Sequence, residues 1–170
     1  KFEIGFEQGA KYINPKIKFL SVYIGGRNAF NDPASAKAKS EALIAQGDDV
    51  IYHASGASGQ GVFQAAKDKH IYAIGVDSNQ DGLVKGTILT SMIKKIDTGV
   101  FDAIKEVKED KFQGKIYELG LKEDGLELTK FEFTKDQIGE ENIKKLDEIK
   151  QKIINGEIVV KATRDQVAKK

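Results

Sequence analysis

Residues Asp48–Gln80 read DDVIYHASGASGQGVFQAAKDKHIYAIGVDSNQ, and this segment predicts the fold of the chain. Its hydrophobic pattern predicts a strand over Val50–His53, a helix from Gly59 or Gln60 to Lys69, and a strand over Tyr72–Val76. Two turns, 54–59 and 77–80, follow the ends of these strands. Because ligands bind outside the carboxyl ends of parallel strands, this βαβ unit predicts a small-molecule site at the rim that the two turns share.

The residues before this unit predict a helix, a strand and a second helix. Apolar residues recur at helical spacing over Phe2–Ile13, and Asn14-Pro15 ends the pattern. The apolar run Ile17–Tyr23 predicts a strand. Asp32-Pro33 supplies a favourable N-cap and a favourable first residue for a helix that extends to about Gln46.

The residues after the βαβ unit predict further strands and helices. In chain order these are a strand over Ile88–Ile93, a helix over Ile96–Val107, strands over Lys115–Leu121 and Leu126–Phe133, and a helix over Asn142–Ile154. The Glu123-Asp124-Gly125 turn favours a reversal of the chain, so we expect the two strands beside it to form a hairpin. The polar end of the final segment, Glu157–Lys170, is expected to fray.

Short apolar strands that alternate with helices predict an α/β fold with a mostly parallel sheet flanked by helices on both faces. We expect the β-hairpin and a long helix towards the C-terminus. On this basis the chain divides into an α/β ligand-binding lobe (1–112), a region of crossover strands and the C-terminal helix (113–160), and a polar tail (161–170). The chain begins without methionine and inside a predicted helix, so we expect it to be part of a larger protein.

Composition argues against several classes of function. The 170 residues carry a formal net charge of +1, and short cationic pairs such as Lys94-Lys95 lie beside acidic or apolar residues, which is not typical of a nucleic-acid binder. No apolar run approaches the roughly 20 residues that cross a bilayer. Because cysteine is absent and His53 and His70 are the only histidines, neither a thiolate nor a histidine-rich metal site is expected.

Two turns at the predicted rim carry candidate binding groups. Ser55–Gly61 can leave backbone N–H groups free to meet a ligand, but it lacks the spacing of phosphate-loop and dinucleotide motifs and fits a tight structural turn equally well. Asp77 follows a predicted buried strand, where its carboxylate can accept hydrogen bonds from two vicinal hydroxyls such as those of a ribose. A capping or turn role for Asp77 is an equal alternative.

Two further side chains are candidates at this rim. Lys94 ends the next predicted strand and can place a cation beside Asp77, although it also fits an exposed lysine next to Lys95. Phe30 lies in a polar loop, where its ring can stack on a heteroaromatic base, with a contribution of roughly 1–3 kcal/mol by analogy with nucleic-acid stacking. The alternative for Phe30 is that its ring caps the hydrophobic core.

Groups arranged for catalysis are not apparent in the sequence. Ser55 and Ser58 lie in no Gly-x-Ser-x-Gly elbow, and His53 is better explained as a strand residue than as a base. Asp48-Asp49 precedes its strand and should lie at the opposite end of the sheet from Asp77, so these carboxylates do not form an acid–base pair. The sequence therefore favours binding over turnover.

Three blocks of the sequence occur in an order that is typical of one protein family. They are FNDPASAKAKSEALIAQGDDVIYHASGASGQGVFQAAKDKHIYAIGVDSNQ (30–80), ILTSMIKKIDTGVFDAI (88–104) and GKIYELGLKEDGLELTKF (114–131). Together they resemble the C-terminal half of the basic membrane protein family, and the resemblance extends from Phe2 to about Val160. These bacterial nucleoside-binding lipoproteins feed ABC importers and have the type I periplasmic-binding-protein fold.

The resemblance implies roles for four residues and for the chain. Phe30 would stack on a purine, and the backbone of Gly56 would approach the ligand. Asp77 would bind ribose hydroxyls with the assistance of Lys94. The chain would be the C-terminal lobe of the substrate-binding component of an ABC importer. A missing N-terminal lobe would complete a cleft for a nucleoside, with purines favoured.

The same resemblance implies the partners and the location of the full-length protein. An ABC permease in the membrane would be its partner, and the protein would be extracytoplasmic, either lipid-anchored to the cell membrane or periplasmic. No enzymatic activity, cofactor, metal or nucleic-acid partner is implied.

Other functions of the same fold remain open at this point. The lobe could be the effector-sensing domain of a transcriptional regulator or of a surface receptor, or it could bind a sugar. An enzyme such as a nucleoside hydrolase would need a metal-binding cluster of aspartates, which the sequence does not suggest.

Overall fold

A computed structural model describes residues 1–168 of the protein. The elements are α1 (Phe2–Ile13), α2 (Pro33–Ile44), β1 (Val50–Tyr52), α3 (Gly59–Asp68), β2 (Tyr72–Asp77), β3 (Ile88–Lys94), α4 (Ile96–Lys108), β4 (Leu126–Leu128), α5 (Lys135–Ile138), α6 (Glu140–Ile154) and α7 (Arg164–Ala168). Two 3₁₀ turns, Gly56–Ser58 and Asp81–Val84, follow β1 and β2. The predicted βαβ unit is thus present, with boundaries that differ by a residue or two.

The four strands form one sheet in the order β1-β2-β3-β4. β1, β2 and β3 are parallel, with Tyr52 opposite Ile74 and Asp77 opposite Ile93, whereas β4 runs antiparallel to β3. Helix α3 connects β1 to β2, a 3₁₀ turn lies between β2 and β3, and helices flank the mostly parallel sheet, which confirms the predicted α/β fold class. The carboxyl ends of β1, β2 and β3 therefore meet at one edge of the sheet.

The core lies between the sheet and α3. Phe63 and Ala66 of α3 pack on Ala73 and Ile88, all nearly inaccessible to solvent. Behind this layer, α2 packs closely on α3 because Gly61 has no side chain, and a Cβ there would lie 1.9 Å from the Pro33 carbonyl oxygen.

The other face of the sheet meets α1. Tyr52 projects to the face opposite Ile51, since successive strand residues alternate, and its ring centroid lies 5.0 Å from that of Phe6 in α1. Helices from both faces thus contact the strands.

The start of α2 is determined locally, as the sequence predicts. The Asp32 carboxylate accepts hydrogen bonds from the backbone N–H of Ser35 at 2.9 Å and from its hydroxyl at 2.6 Å, and Pro33 is the first helical residue. The helix ends at Ile44, two residues earlier than expected, and Gly47 then turns the chain with a φ of +101°.

The strand predicted over Ile17–Tyr23 is not observed. Within the described residues this segment pairs with no strand. The Phe6 ring lies against both Phe19 (6.1 Å between centroids) and Tyr52, so aromatic contacts rather than backbone hydrogen bonds join the segment to the sheet. A cavity of about 770 Å³ occupies the space around this contact.

The predicted hairpin is also absent from the described part of the chain. Lys115–Leu121 forms no strand, and β4 pairs with β3 instead. The backbone bonds from Lys95 N–H to the Gly125 carbonyl (2.9 Å) and from Thr129 N–H to the Ser91 carbonyl (3.0 Å) extend this pairing on both sides of β4. Its hydrogen-bonding groups are therefore engaged by β3. The strand predicted to reach Phe133 is also shorter than expected, since it ends at Leu128.

The C-terminal part is more ordered than predicted. Arg164, in the segment expected to fray, begins α7 and pairs with Glu3 (2.6 Å) and Glu7 (3.0 Å) of α1, and these bonds tie the helix to the rest of the chain. Lys169 and Lys170, also part of that prediction, lie outside the described residues. The long helix α6 begins at Glu140, two residues earlier than predicted.

One helix leaves its apolar side uncovered. In α4, residues 96–108, the described side chains include none that is buried, and Val100, Phe101, Ile104 and Val107 are all more than half exposed. Their spacing places them on one side of the helix. No helix in residues 1–168 is long and apolar enough to cross a bilayer.

A candidate ligand site at the carboxyl edge of the sheet

Asp77 ends β2 in an unusual backbone conformation. Its φ is +70°, and the N–H of Ser78 donates to the carbonyl of Val76 at 2.9 Å, which makes a γ-turn centred on Asp77. A non-glycine residue held in this region costs about 1–3 kcal/mol and is commonly found at functional sites. The turn leaves the Asp77 side chain half exposed at the edge of the sheet.

Lys94 meets this carboxylate from the neighbouring strand. Its Nζ lies 2.7 Å from Asp77 Oδ1, because β3 ends one residue beyond the position paired with Asp77. The same ammonium group lies 4.6 Å from the centroid of the Phe2 ring, a favourable cation–π distance. The adjacent Lys95 pairs with Asp124 instead, so the two lysines serve different carboxylates.

Phe30 is an exposed aromatic ring on a loop that is tied down beneath it. The Ser58 hydroxyl, fully buried, donates to the Ala29 carbonyl at 2.8 Å and accepts from the Asp32 N–H at 2.7 Å. The Ser58 N–H also donates to the Phe30 carbonyl at 3.3 Å. The Phe30 side chain itself is 69% exposed, so it does not cap the core.

Gly56 touches Phe30 in a backbone conformation that favours glycine. Its φ is +56°, and a Cβ built on it would lie 3.1 Å from the Phe30 carbonyl oxygen and 3.4 Å from Cδ1 of the ring. The structure therefore brings the four predicted residues together as two pairs, Phe30 with Gly56 and Asp77 with Lys94. Gly56, Asp77 and Lys94 lie at the carboxyl ends of β1, β2 and β3, and Phe30 reaches this edge through its contact with Gly56.

Behind the two pairs lies a buried polar chain that the sequence did not reveal. His53 Nε2 lies 3.2 Å from Gln80 Oε1, and His53 Nδ1 lies 3.3 Å from the hydroxyl of Ser55. The Gln80 N–H donates to the Ser91 hydroxyl at 3.0 Å, and this hydroxyl donates to the buried Asp81 carboxylate at 2.6 Å. His53 was interpreted as a strand residue, but it directly follows β1.

The titratable groups of this region respond to burial. Burial lowers the pKa of His53, although a hydrogen bond to Gln80 and the charge of Asp77 oppose the change. Burial, together with the nearby Asp77 carboxylate, raises the pKa of Tyr52 to about 12. Near neutral pH both side chains are therefore uncharged neighbours of the Asp77–Lys94 ion pair.

The large cavity overlaps the predicted rim only at Phe30 and at the start of the turn after β1. The cavity of about 770 Å³ is lined by α1, by the segment 17–25 and by residues of α2 and β1, and it touches Phe30 and His53. Asp77, Lys94 and Gly56 do not line it. We assign the candidate site to the rim, because the paired charges that can recognise a polar ligand lie there.

Among residues 1–168 the structure places no group of three or more histidine, aspartate or glutamate side chains where they could hold a metal ion.

Sequence comparisons agree on one family. The family model described as "ABC transporter substrate-binding protein PnrA-like" matches residues 1–164. Basic membrane protein D of Borreliella burgdorferi (strain JD1) is 37% identical over 171 residues, which cover 98% of this chain and 48% of the relative. The CD4+ T-cell-stimulating antigen of Listeria monocytogenes serovar 1/2a is 34% identical over 178 residues, which cover 94% of this chain and 48% of the relative. The chain thus spans about half the length of the curated relatives it matches.

Solved structures share the fold. An ABC transporter solute-binding protein from Aeropyrum pernix K1 superimposes with a TM-score of 0.81 at 30% identity, covering 96% of this chain and 55% of that one. A transcriptional activator of the comK gene from Bacillus halodurans has a TM-score of 0.77 at 24% identity, covering 88% and 50%. The second likeness concerns the fold alone.

Proposed function

Because the chain belongs to the family of PnrA-like ABC transporter substrate-binding proteins, we propose that it supplies one side of a nucleoside-binding cleft. The family is one of solute-binding proteins and not of enzymes. The observation that carries the choice of ligand is the Asp77–Lys94 ion pair, 2.7 Å long, at the ends of two central strands. An exposed aromatic ring on the same edge of the sheet supports it.

The acidic side of the site suits vicinal hydroxyls. A carboxylate accepts hydrogen bonds through both oxygens, and the ion pair with Lys94 engages only Oδ1 directly. The Lys94 ammonium group also offers further N–H donors to a ribose hydroxyl. A phosphate group beside Asp77 would be repelled, so the proposed ligand is a nucleoside and not a nucleotide.

The aromatic side of the site suits a base. Phe30 presents its ring to solvent while Ser58 and Gly56 hold its backbone, so the ring can stack on a heteroaromatic plane without disturbing the core. Base stacking on such a ring contributes roughly 1–3 kcal/mol. Every nucleobase has a flat face, so this contact selects for a base without distinguishing strongly among bases.

The rest of the binding site would come from outside this chain. The curated relatives are about twice as long as the region that matches, and we propose that a second lobe closes over the ligand. The complete protein would then deliver a nucleoside to an ABC permease, from an extracytoplasmic position that is either membrane-anchored or periplasmic.

Titration calorimetry on the complete natural protein that carries this chain tests the proposal. Its panel consists of adenosine, guanosine, inosine, cytidine, 2′,3′-dideoxyadenosine, AMP, ribose and a hexose. We expect nucleosides to bind, AMP to bind much more weakly, and the dideoxy analogue to lose most of the affinity of adenosine. Binding of a hexose in preference to every nucleoside, or equal binding of adenosine and its dideoxy analogue, would contradict the proposed site.

A further inference from the structure

The orientation of the Gln80 side chain follows from its neighbours. The backbone N–H of Val76 can only donate, so the Gln80 atom that lies 2.8 Å from it must be the carbonyl oxygen Oε1. The same oxygen lies 3.2 Å from His53 Nε2, which must therefore carry a hydrogen. Because burial lowers the pKa of His53, the ring is neutral at pH 7, and its Nδ1 accepts the Ser55 hydroxyl hydrogen.

Two glycines make room for this arrangement. A Cβ on Gly59 would lie 2.2 Å from Cε1 of the His53 ring, and a Cβ on Gly75 would lie 2.3 Å from the Ser91 hydroxyl and 2.9 Å from Gln80 Oε1. The His53 ring also packs edge-on against Phe63, with centroids 5.0 Å apart. The imidazole is thus enclosed, with only 4% of its residue surface exposed.

The enclosed ring connects the two sides of the candidate site. On one side it bonds Ser55, which directly precedes Gly56 in the turn that touches Phe30. On the other side it bonds Gln80, whose side chain holds the N–H of Val76 just before the strained turn at Asp77. Ser55 is thus adjacent to Gly56, and the Gln80 side chain bonds the residue adjacent to Asp77.

We propose that His53 is a positioning residue of this site, which through Gln80 holds the Asp77 turn in its ligand-binding conformation and couples it to the Gly56 turn. His53 does not touch the ligand in this role; it determines where the Asp77 carboxylate points relative to Phe30. The inference rests on the proposed function for its consequence in binding, but the hydrogen-bond arrangement stands independently of the ligand.

Four variants of the complete protein test the coupling by adenosine calorimetry. His53→Phe keeps a ring of similar size but removes both hydrogen bonds, and we expect affinity to fall about tenfold, as loss of these bonds would predict. His53→Gln keeps an N–H donor at the reach of Nε2 and should retain affinity within about threefold. Combining His53→Phe with Gln80→Leu should weaken binding by less than the sum of the two single effects, because both variants remove the same bond between His53 and Gln80.

Wild-type affinity in a folded His53→Phe variant, or full additivity with Gln80→Leu, would overturn the proposal. Thermal unfolding of each variant identifies loss of folding as a separate cause.

A measurement without ligand separates this inference from the proposed function. In nitrogen-15 spectra of the wild type at pH 7, we expect the hydrogen of the His53 ring on Nε2. His53→Phe should accelerate hydrogen exchange of the Val76 N–H, and His53→Gln should restore its protection. The Ala73 N–H, which donates to the Thr87 carbonyl at 2.9 Å, is the control that should not change.

A hydrogen on Nδ1, or unchanged exchange at Val76 in His53→Phe, would refute the role of His53 even if nucleosides bind. If no nucleoside binds the wild type, the proposed function fails, and these spectra alone decide whether His53 holds the turn.

Discussion

Asp77 and Lys94 end two neighbouring parallel strands, whereas Phe30 lies in a loop that the buried Ser58 ties to the glycine-rich turn. The first pair is held by the ladder between β2 and β3 in the centre of the sheet. The second depends on the hydroxyl and the N–H of Ser58 and on close contact with Gly56. In the proposed site, the sheet thus fixes the side that faces the sugar, and hydrogen bonds from Ser58 fix the side that faces the base.

This difference indicates how selectivity would be divided. A carboxylate whose backbone is fixed by the ladder distinguishes hydroxyls by geometry, since hydrogen bonds weaken steeply when misaligned. A ring on a loop can shift slightly to accept different bases. The two sides should therefore respond differently to substitution, and the following four experiments test that expectation.

The largest effect is expected from Asp77→Asn, which keeps the size of the side chain and a residue type that tolerates positive φ. Hydrogen bonds to charged groups contribute about 1.5–3 kcal/mol each, so losing the charge at two of them should weaken adenosine binding about 100-fold or more. Calorimetry on the complete protein measures the change. Asp68→Asn, which removes a carboxylate paired with Lys37 at 2.7 Å away from the site, is the matched control. A change below threefold at Asp77 would remove the acidic side from the proposal.

The second effect concerns stability and the tie beneath Phe30. Ser58→Ala leaves the Asp32 N–H and the Ala29 carbonyl without their buried partner, and we expect a loss of about 1–3 kcal/mol in the free energy of unfolding. Urea denaturation measures it. Ser40→Ala is the control, because this buried hydroxyl bonds only the Ala36 carbonyl of its own helix and should cost much less. Equal losses in the free energy of unfolding of the two variants would show that the Ser58 hydroxyl does not hold the Phe30 loop more strongly than an ordinary helix hydroxyl.

Phe30→Ala should have a smaller effect, on binding alone. Loss of stacking predicts adenosine affinity lower by about tenfold, with ribose affinity unchanged. The free energy of unfolding should stay constant because the ring is 69% exposed. Phe101→Ala, at 66% exposure on α4, controls for the loss of an exposed ring. If Phe30→Ala weakened ribose and adenosine equally, the division between a sugar side and a base side would be wrong.

The smallest effect is expected from pH. Because the pKa of His53 is lowered in the folded protein, the unfolded chain binds more protons as pH falls through about 6.5, and stability must fall with it. The loss levels off below the folded pKa. Urea denaturation at intervals from pH 8 to pH 5 should show the decline in the wild type and in His70→Gln, and a flatter profile in His53→Gln. Identical profiles in all three would mean that His53 is not a buried neutral link between the two sides.

The sequence predicted the parts of the molecule that depend on local pattern. Apolar periodicity gave the βαβ unit, and Asp32-Pro33 gave the start of α2 through hydrogen bonds within one turn. The meeting of Asp77 with Lys94 followed from parallel strands, which bring successive carboxyl ends to one edge.

Other features depend on partners distant in the chain. The apolar run Ile17–Tyr23 has strand character, but propensity does not say which backbone is near enough to pair. The Asp124-Gly125 turn is present without a hairpin, because β4 pairs with β3 and not with Lys115–Leu121. The bond between His53 and Gln80 joins residues 27 positions apart, and no spacing rule signals it. The closest indication is the presence of Gly59 and Gly75. The structure shows why these positions are glycine, because a Cβ there would clash with the His53 ring or with Ser91 and Gln80.

The uncovered apolar side of α4 affects the solubility and self-association of the chain. An apolar stripe on this helix is exposed to water and consists of Val100, Phe101, Ile104 and Val107. Such surfaces associate with each other and bind amphiphilic dyes. When this stripe is exposed, we expect the 170-residue chain to increase the fluorescence of anilinonaphthalene sulfonate and to self-associate as its concentration rises. We also expect it to precipitate at a low concentration of ammonium sulfate. Replacing Phe101 and Ile104 by lysine should make the preparation easier to concentrate.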